Sequence, residues 1–315
     1  MPADSGADMD YKSLVDPELK KFAIKMPYNK AFIFGDKLSH GLMSRFAKTT
    51  PKASKRTVRV KGYKGLEFRT DIFESRNIQE KLPALIFIHG GAFSYHAASY
   101  HIHLAAAYAV KAGCRVFFPD YHLLPDYPWP AAWHDIHALY RCITADPESF
   151  RINPEKIGIT GDSAGAFLAE TLCNSYEKES LKKPCLQMLV YPCTDYDPER
   201  DSMKKNAEAP IWDLKSHKRM MQYYFRGMQP SEIKALMPMQ QELPENIPDT
   251  YIETAEFDIL RDEGIQYAKR LEAAGAAVEV NETAGTFHGY DIAINSKVAR
   301  MNIEKRFAFL KRAFG

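Results

Sequence analysis

A serine flanked by glycine two residues away on each side, in Gly161-Asp162-Ser163-Ala164-Gly165, has the makings of a nucleophile. A hydroxyl attacks a carbonyl only when a base takes its proton and when it stands clear of its own backbone. The two glycines serve the second need by removing side chains where an incoming strand and an outgoing helix nearly collide. The flanks fit: Ile157 and Ile159 alternate as in a strand, while Ala164, Phe167, Leu168, Thr171 and Leu172 recur at helical spacing. A glycine-rich strand-to-helix turn with an incidental serine has the same local pattern, so the remaining chain must decide. Downstream, two strand-like runs, 249–255 and 278–281, lead into Asp258 and His288 respectively. The order serine, aspartate, histidine offers a nucleophile, an orienting acid and a base. Upstream, the apolar run 83–88 ends in His89-Gly90-Gly91. Successive glycines there let backbone N–H groups turn toward an anion, and a plain glycine turn has the same composition.

The elements that must position these groups alternate along the chain. After the buried strand 83–88 come a helix over 101–112, a strand over 114–119, and a loop, 121–130, stiffened by Pro125, Pro128 and Pro130. A helix over 131–143, the strand and helix around Ser163 and a strand over 186–191 follow. Such alternation describes a parallel α/β sheet, whose sites lie at the carboxyl ends of its strands. Ahead of it, 57–60 and 66–73 read as an antiparallel hairpin. Residues 1–15 are expected to be frayed. From 17 to 50, Phe22, Met26, Phe32, Ile33, Leu38, Leu42, Met43 and Phe46 predict two or three short helices broken at Pro27 and Gly35. Residues 196–240 carry no clear strand and hold six of the twelve methionines, so they read as a helical insertion over the site. Those methionines either line an entrance or pack the helices. A last helix, 295–314, would turn Val298, Met301, Phe307, Leu310 and Phe314 inward.

Taken together, His89-Gly90-Gly91, the serine turn, the stretch from Asp258 to Gly264 and Phe287-His288-Gly289 resemble the hormone-sensitive lipase-like family of α/β-hydrolases, over nearly the whole chain. Spacing agrees: the glycine motif stands 74 residues before Ser163, Asp258 stands 95 after it and His288 another 30 on. The resemblance implies an α/β-hydrolase core at 51–195 and 241–315, capped by helices from 1–50 and 196–240. It implies that Ser163 attacks an ester carbonyl, His288 relays the proton and Asp258 orients the imidazole, with the oxyanion held by backbone N–H groups of Gly90, Gly91 and Ala164. The implied activity is that of a carboxylesterase on short acyl esters, with an amidase or formamidase, or a small-molecule-binding protein on the same scaffold, as alternatives. One departure is Ala92, where many members have a third glycine; its methyl group narrows the pocket. Tyr191, Trp212, Phe32 and Phe34 are either lining or lid core.

Other features bound the reading. A chain of 315 residues at +2 shows no charge bias toward nucleic acid, and no apolar run reaches the length of a membrane span. Its start is acidic and unlike a signal peptide, and the five cysteines are widely spaced, so reduced buried thiols and a cytoplasmic setting are expected. No cofactor or metal is expected: His101/His103 and His134/His137 lack an ordered set of further ligands and read as helix-surface or loop histidines. Of the rival carboxylates, Asp262 suits the start of the next helix, and Asp162 points away from the serine to support neighbouring loops. Glu256 is a further rival close in sequence, and Asp258 is taken as the carboxylate at the strand end. The expected partner is a small ester, with a homodimer as a family possibility.

Overall fold

The computed structural model describes residues 9–46, 50–78 and 80–315. Among them, eight strands form one sheet: β1 (Ala53–Lys61), β2 (Glu67–Ser75), β3 (Leu82–Ile88), β4 (Arg115–Asp120), β5 (Ile152–Asp162), β6 (Leu186–Val190), β7 (Asp249–Phe257) and β8 (Val278–Phe287). Their order is β1-β2-β4-β3-β5-β6-β7-β8. β2 pairs antiparallel with β1 and β4, and every later pairing is parallel. The helices are α1 (Tyr11–Leu14), α2 (Lys30–Phe46), α3 (Ser99–Lys111), α4 (Ala131–Ala145), α5 (Ala164–Ser175), α6 (Asp201–Lys205), α7 (Leu214–Tyr224), α8 (Pro230–Leu236), α9 (Arg261–Ala273) and α10 (Lys297–Phe314).

Alternation along β3 shows why its apolar run is continuous. Ala84, Ile86 and Ile88 enter the core under α4, α5 and α9, while Leu85 and Phe87 enter the opposite core under α3 and α10. Parallel strands covered on both faces direct their carboxyl ends to one rim, where β3, β5, β7 and β8 release His89, Ser163, Asp258 and His288. Between β6 and β7 lie α6, α7 and α8. Asp213 caps α7 by accepting the Ser216 N–H at 2.6 Å, and α7 turns Met220, Met221 and Tyr224 inward. The Tyr224 ring stacks on Phe93 with centroids 3.7 Å apart, joining this insertion to the loop after β3. The N-terminal segment is tied at two points: Asp16 N–H donates to Gly285 O and Ile211 N–H to Ile24 O, both at 2.8 Å.

Three expectations change. Residues 9–15 are not frayed: α1 buries Tyr11, whose ring lies 6.0 Å from that of Phe257; residues 1–8 lie outside the described residues. The segment before β1 holds a short 3-10 turn, Lys20–Phe22, and a single long helix, because Gly35 keeps its N–H and is tolerated inside α2 where a proline is not. The side chains of Leu42, Met43 and Phe46 also lie outside the described ones. In α10, Met301 is 58% exposed, because the inward face centres on Asn302, Ile303 and Arg306, polar residues that an apolar count passes over. The five cysteines are free, with Cys114, Cys173 and Cys193 buried and Cys142 and Cys185 partly so.

Glu170 on α5 is fully buried, and neither carboxyl oxygen has a hydrogen-bond partner. Burial pushes its pKa well up, and the charge of Glu263 on α9 pushes it further. Glu263 is also raised by burial, although Oε1 accepts from Thr194 N–H at 2.8 Å. A carboxyl whose folded pKa lies above its unfolded one stabilises the fold fully only below the unfolded pKa, and that stability is lost as pH rises toward the folded value. Glu170→Met should therefore raise stability by about 1–3 kcal/mol at pH 8 and by clearly less at pH 5. Urea denaturation at the two pH values checks this, and an equal gain at both would contradict it.

Candidate active site

Ser163 stands at the junction of β5 and α5 with φ 55° and ψ −119°, a left-handed conformation that a serine adopts only when its surroundings enforce it. Enforcement comes from backbone contact. A Cβ on Gly161 would lie 2.3 Å from the Gly165 carbonyl, and one on Gly165 would lie 2.0 Å from Ile88 O. The Ser163 N–H donates to Val190 O at 2.9 Å, fixing the turn to the end of β6.

His288, past the end of β8, meets this serine. His288 Nδ1 lies 2.7 Å from Asp258 Oδ2 and Nε2 lies 2.8 Å from Ser163 Oγ. A carboxylate at Nδ1 keeps the ring proton there, so Nε2 accepts from the serine hydroxyl. Asp258 is fully buried; its Oδ1 accepts the Leu260 N–H at 3.0 Å, and Asn206, between α6 and α7, donates to its backbone carbonyl at 3.1 Å. The rival Asp262 sits in the first turn of α9 and accepts the Ser202 N–H at 2.9 Å, while Glu256 accepts the Gly285 N–H at 2.8 Å.

Behind the imidazole runs a buried charged network. The Tyr191 ring packs on His288 with centroids 4.8 Å apart, and its hydroxyl donates to Asp291 Oδ2 at 3.2 Å. Asp291 accepts from Arg306 Nη1 at 2.9 Å, and Arg306 also pairs with Glu253. Burial raises the Asp291 carboxyl, and Arg306 offsets this only in part.

The loop after β3 is held on several sides. Tyr121 Oη donates to His89 O and Leu124 N–H to Phe93 O, both at 2.8 Å, so the proline-rich loop braces it. Gly91 has φ +115° and a Cβ there would fall 2.6 Å from Tyr95 O; Ala92 and Phe93 also have positive φ, 53° and 55°. Gly91 and Ala92 line the cavity above Ser163. Ala164 is the first residue of α5, where a helix leaves its N–H without an intrahelical acceptor. Gly90 departs from expectation: it is buried one layer deeper, and a Cβ on it would lie 2.3 Å from Asp162 Oδ2. Gly91 and Ala92 are among the residues lining the cavity, and Gly90 is not.

Asp162 is buried against the residue the sequence reading missed. Ala98 N–H donates to His101 Nδ1 at 3.0 Å, which leaves the proton on Nε2, facing Asp162 Oδ2 at 3.2 Å. Burial acts to raise the Asp162 carboxyl, but His101 first, then His89 and the Gly90 N–H, bring it below its ordinary value. His89 itself is pushed down to about 4 by burial and by His101. His101 and His137 are therefore buried, not surface, histidines; His103 and His134 on the same helices are exposed. Its only sequence signal was a polar residue inside the apolar helix pattern. No group of three or more potential metal ligands occurs among the described residues.

The cavity over Ser163 has a volume of about 820 Å³. Tyr191, Trp212 and Phe32 line it, and Phe34 does not, being 62% exposed. None of the six methionines of 196–240 lines it; Met203, Met220, Met221 and Met237 pack in the core.

Residues 85–292 match a family model described as the alpha/beta hydrolase fold. Carboxylesterase NlhH of Mycobacterium tuberculosis is 30% identical over 311 residues, covering 95% of this chain and 96% of its own. Esterase LipI of the same organism is 32% identical over 213 residues, 67% of each chain. Among solved structures, a bacterial heroin esterase superposes with a TM-score of 0.87 at 26% identity, covering 96% of this chain and 99% of that one.

The backbone contacts at the serine turn generate a direct test. Gly165→Ala should cost about 1–3 kcal/mol or more, since its methyl group meets the carbonyl of β3 and not a side chain that could swing aside. An unchanged urea midpoint would show that α5 can retreat from β3.

Proposed function

The chain belongs to the alpha/beta hydrolase fold family, in its hormone-sensitive lipase-like group, and on that premise we propose that it is a serine carboxylic ester hydrolase. The observation that carries the proposal is the continuous line from Asp258 Oδ2 through His288 to Ser163 Oγ, with links of 2.7 and 2.8 Å. Ser163 Oγ attacks the ester carbonyl while His288 Nε2 takes its proton. Asp258 holds the imidazole and stabilises its cation. The protonated His288 then gives the proton to the departing alcohol, leaving an acyl-enzyme. A water that loses its proton to the same nitrogen hydrolyses this ester, and Ser163 is regenerated.

Charge developing on the carbonyl oxygen is met by the N–H groups of Gly91 and Ala164. Gly90 is buried away from the cavity lining, so the third donor falls to Ala92, which lines the cavity beside Gly91. The Ala92 methyl group supports a short acyl half, and the cavity volume supports a larger alcohol. In this reading 51–195 and 241–315 form the core, and 1–50 with 196–240 form the cap that sets substrate size.

Hydrolysis of a p-nitrophenyl ester series from acetyl to long acyl tests the proposal. Wild type should prefer the short esters, Ser163→Ala should lose up to ~10⁶ in kcat, and Asp258→Asn should lose about 10⁴. A fluorophosphonate should label wild type at Ser163. Equal turnover by wild type and Ser163→Ala would overturn the assignment.

A further inference from the structure

Resting on that hydrolase reading, we propose that the substrate carries an uncharged aromatic ring system on its larger half. Four rings form one wall of the cavity. Trp212 lies 6.3 Å from the His288 ring, Tyr28 meets Trp212 edge-on at 5.6 Å, Tyr95 meets Tyr28 at 5.9 Å, and Phe32 meets Tyr95 at 6.0 Å. The wall therefore runs without a break from the catalytic imidazole to the cavity mouth, where Phe32 is 40% exposed.

The polar tips of this wall are all turned into protein. Tyr28 Oη shares a hydrogen bond with Ser94 Oγ at 2.6 Å, Tyr95 Oη donates to Pro27 O at 3.0 Å, and Trp212 Nε1 donates to His217 Nδ1 at 3.3 Å. What remains for a ligand is ring carbon, in an edge-to-face series that another ring extends.

Charge selects against anions. The three histidines lining the cavity each already face a carboxylate: His96 faces Asp120 at 3.5 Å, His101 faces Asp162 at 3.2 Å and His288 faces Asp258 at 2.7 Å. No lysine or arginine is among the described lining residues. Among the described lining residues a substrate carboxylate would lose its water and find no lysine or arginine in exchange. The volume of about 820 Å³ holds a fused ring system together with a short acyl group.

Three acetates of alcohols with similar acidity separate the contributions: 2-(2-naphthyl)ethyl acetate, its fully saturated decalin counterpart, and the naphthyl compound bearing a ring carboxylate. Wild type should favour the naphthyl ester over the saturated one by about 2- to 12-fold in kcat/KM and should turn over the carboxylate at less than a tenth of the naphthyl rate. Phe32→Leu and Tyr95→Leu should each bring the naphthyl-to-saturated ratio toward one. A ratio of one in wild type, a ratio unmoved in both variants, or equal use of the carboxylate overturns the proposal while p-nitrophenyl acetate turnover keeps the hydrolase reading. If no ester including p-nitrophenyl acetate is hydrolysed and fluorophosphonate leaves Ser163 unlabelled, the hydrolase reading falls and takes this proposal with it.

Discussion

Three backbones meet at the serine with no room for a side chain between them. β5 passes Gly161 against the carbonyl of Gly165, and Gly165 in turn touches the last carbonyl of β3. This contact makes Ser163, the first N–H groups of α5 and the loop leaving β3 parts of one rigid body, so their spacing follows from the fold and needs no further adjustment. It also explains why the positive φ of Ser163 persists: relaxing it would require prising a helix off the centre of the sheet.

Around that body the polar groups are arranged as histidine–aspartate pairs, with an ionic cluster behind them. His288 has Asp258, His101 has Asp162 and His96 has Asp120, each aspartate reaching its histidine from another element. Farther back, Arg306 is enclosed by Glu253 and Asp291, and Tyr191 carries that network forward to the imidazole. Buried charges of this kind add little net stability but penalise every arrangement that separates the partners. Geometry, more than stability, is what they secure.

How far such an arrangement is legible in a sequence depends on whether its signal is local. The alternation of Ile157 and Ile159, the apolar run of β3 and the glycines beside Ser163 record contacts within one or two elements, and they yield the strands, the turn and the chain order of the polar groups. Asp258 and His288 were legible because each follows directly on a strand. His101 was not, because its partner Asp162 lies 61 residues away and a single histidine in an apolar helix has several meanings. Gly90 and Gly91 look alike in sequence, and only the position of Asp162 separates them. Arg306 and Asn302 were passed over for a related reason: apolar periodicity finds an inward face only where that face is apolar, and α10 presents polar groups to the core.

The links between distant parts of the chain bear on when the site comes into being. Ser163 and its turn depend on β3, β5 and β6, all of which precede residue 191. The imidazole lies 125 positions beyond the serine, and the N-terminal strap is fastened late, with Lys297 N–H donating to Glu18 across 279 positions. During synthesis the strands that form the serine turn are therefore made long before His288. The wall beside the serine is joined first to residues 94, 95 and 211, through Tyr28, Pro27 and Ile24, and only the ties of Asp16 and Glu18 wait for residues 285 and 297. A chain that stops short of residue 288 therefore holds Ser163 in its turn without the imidazole that meets it.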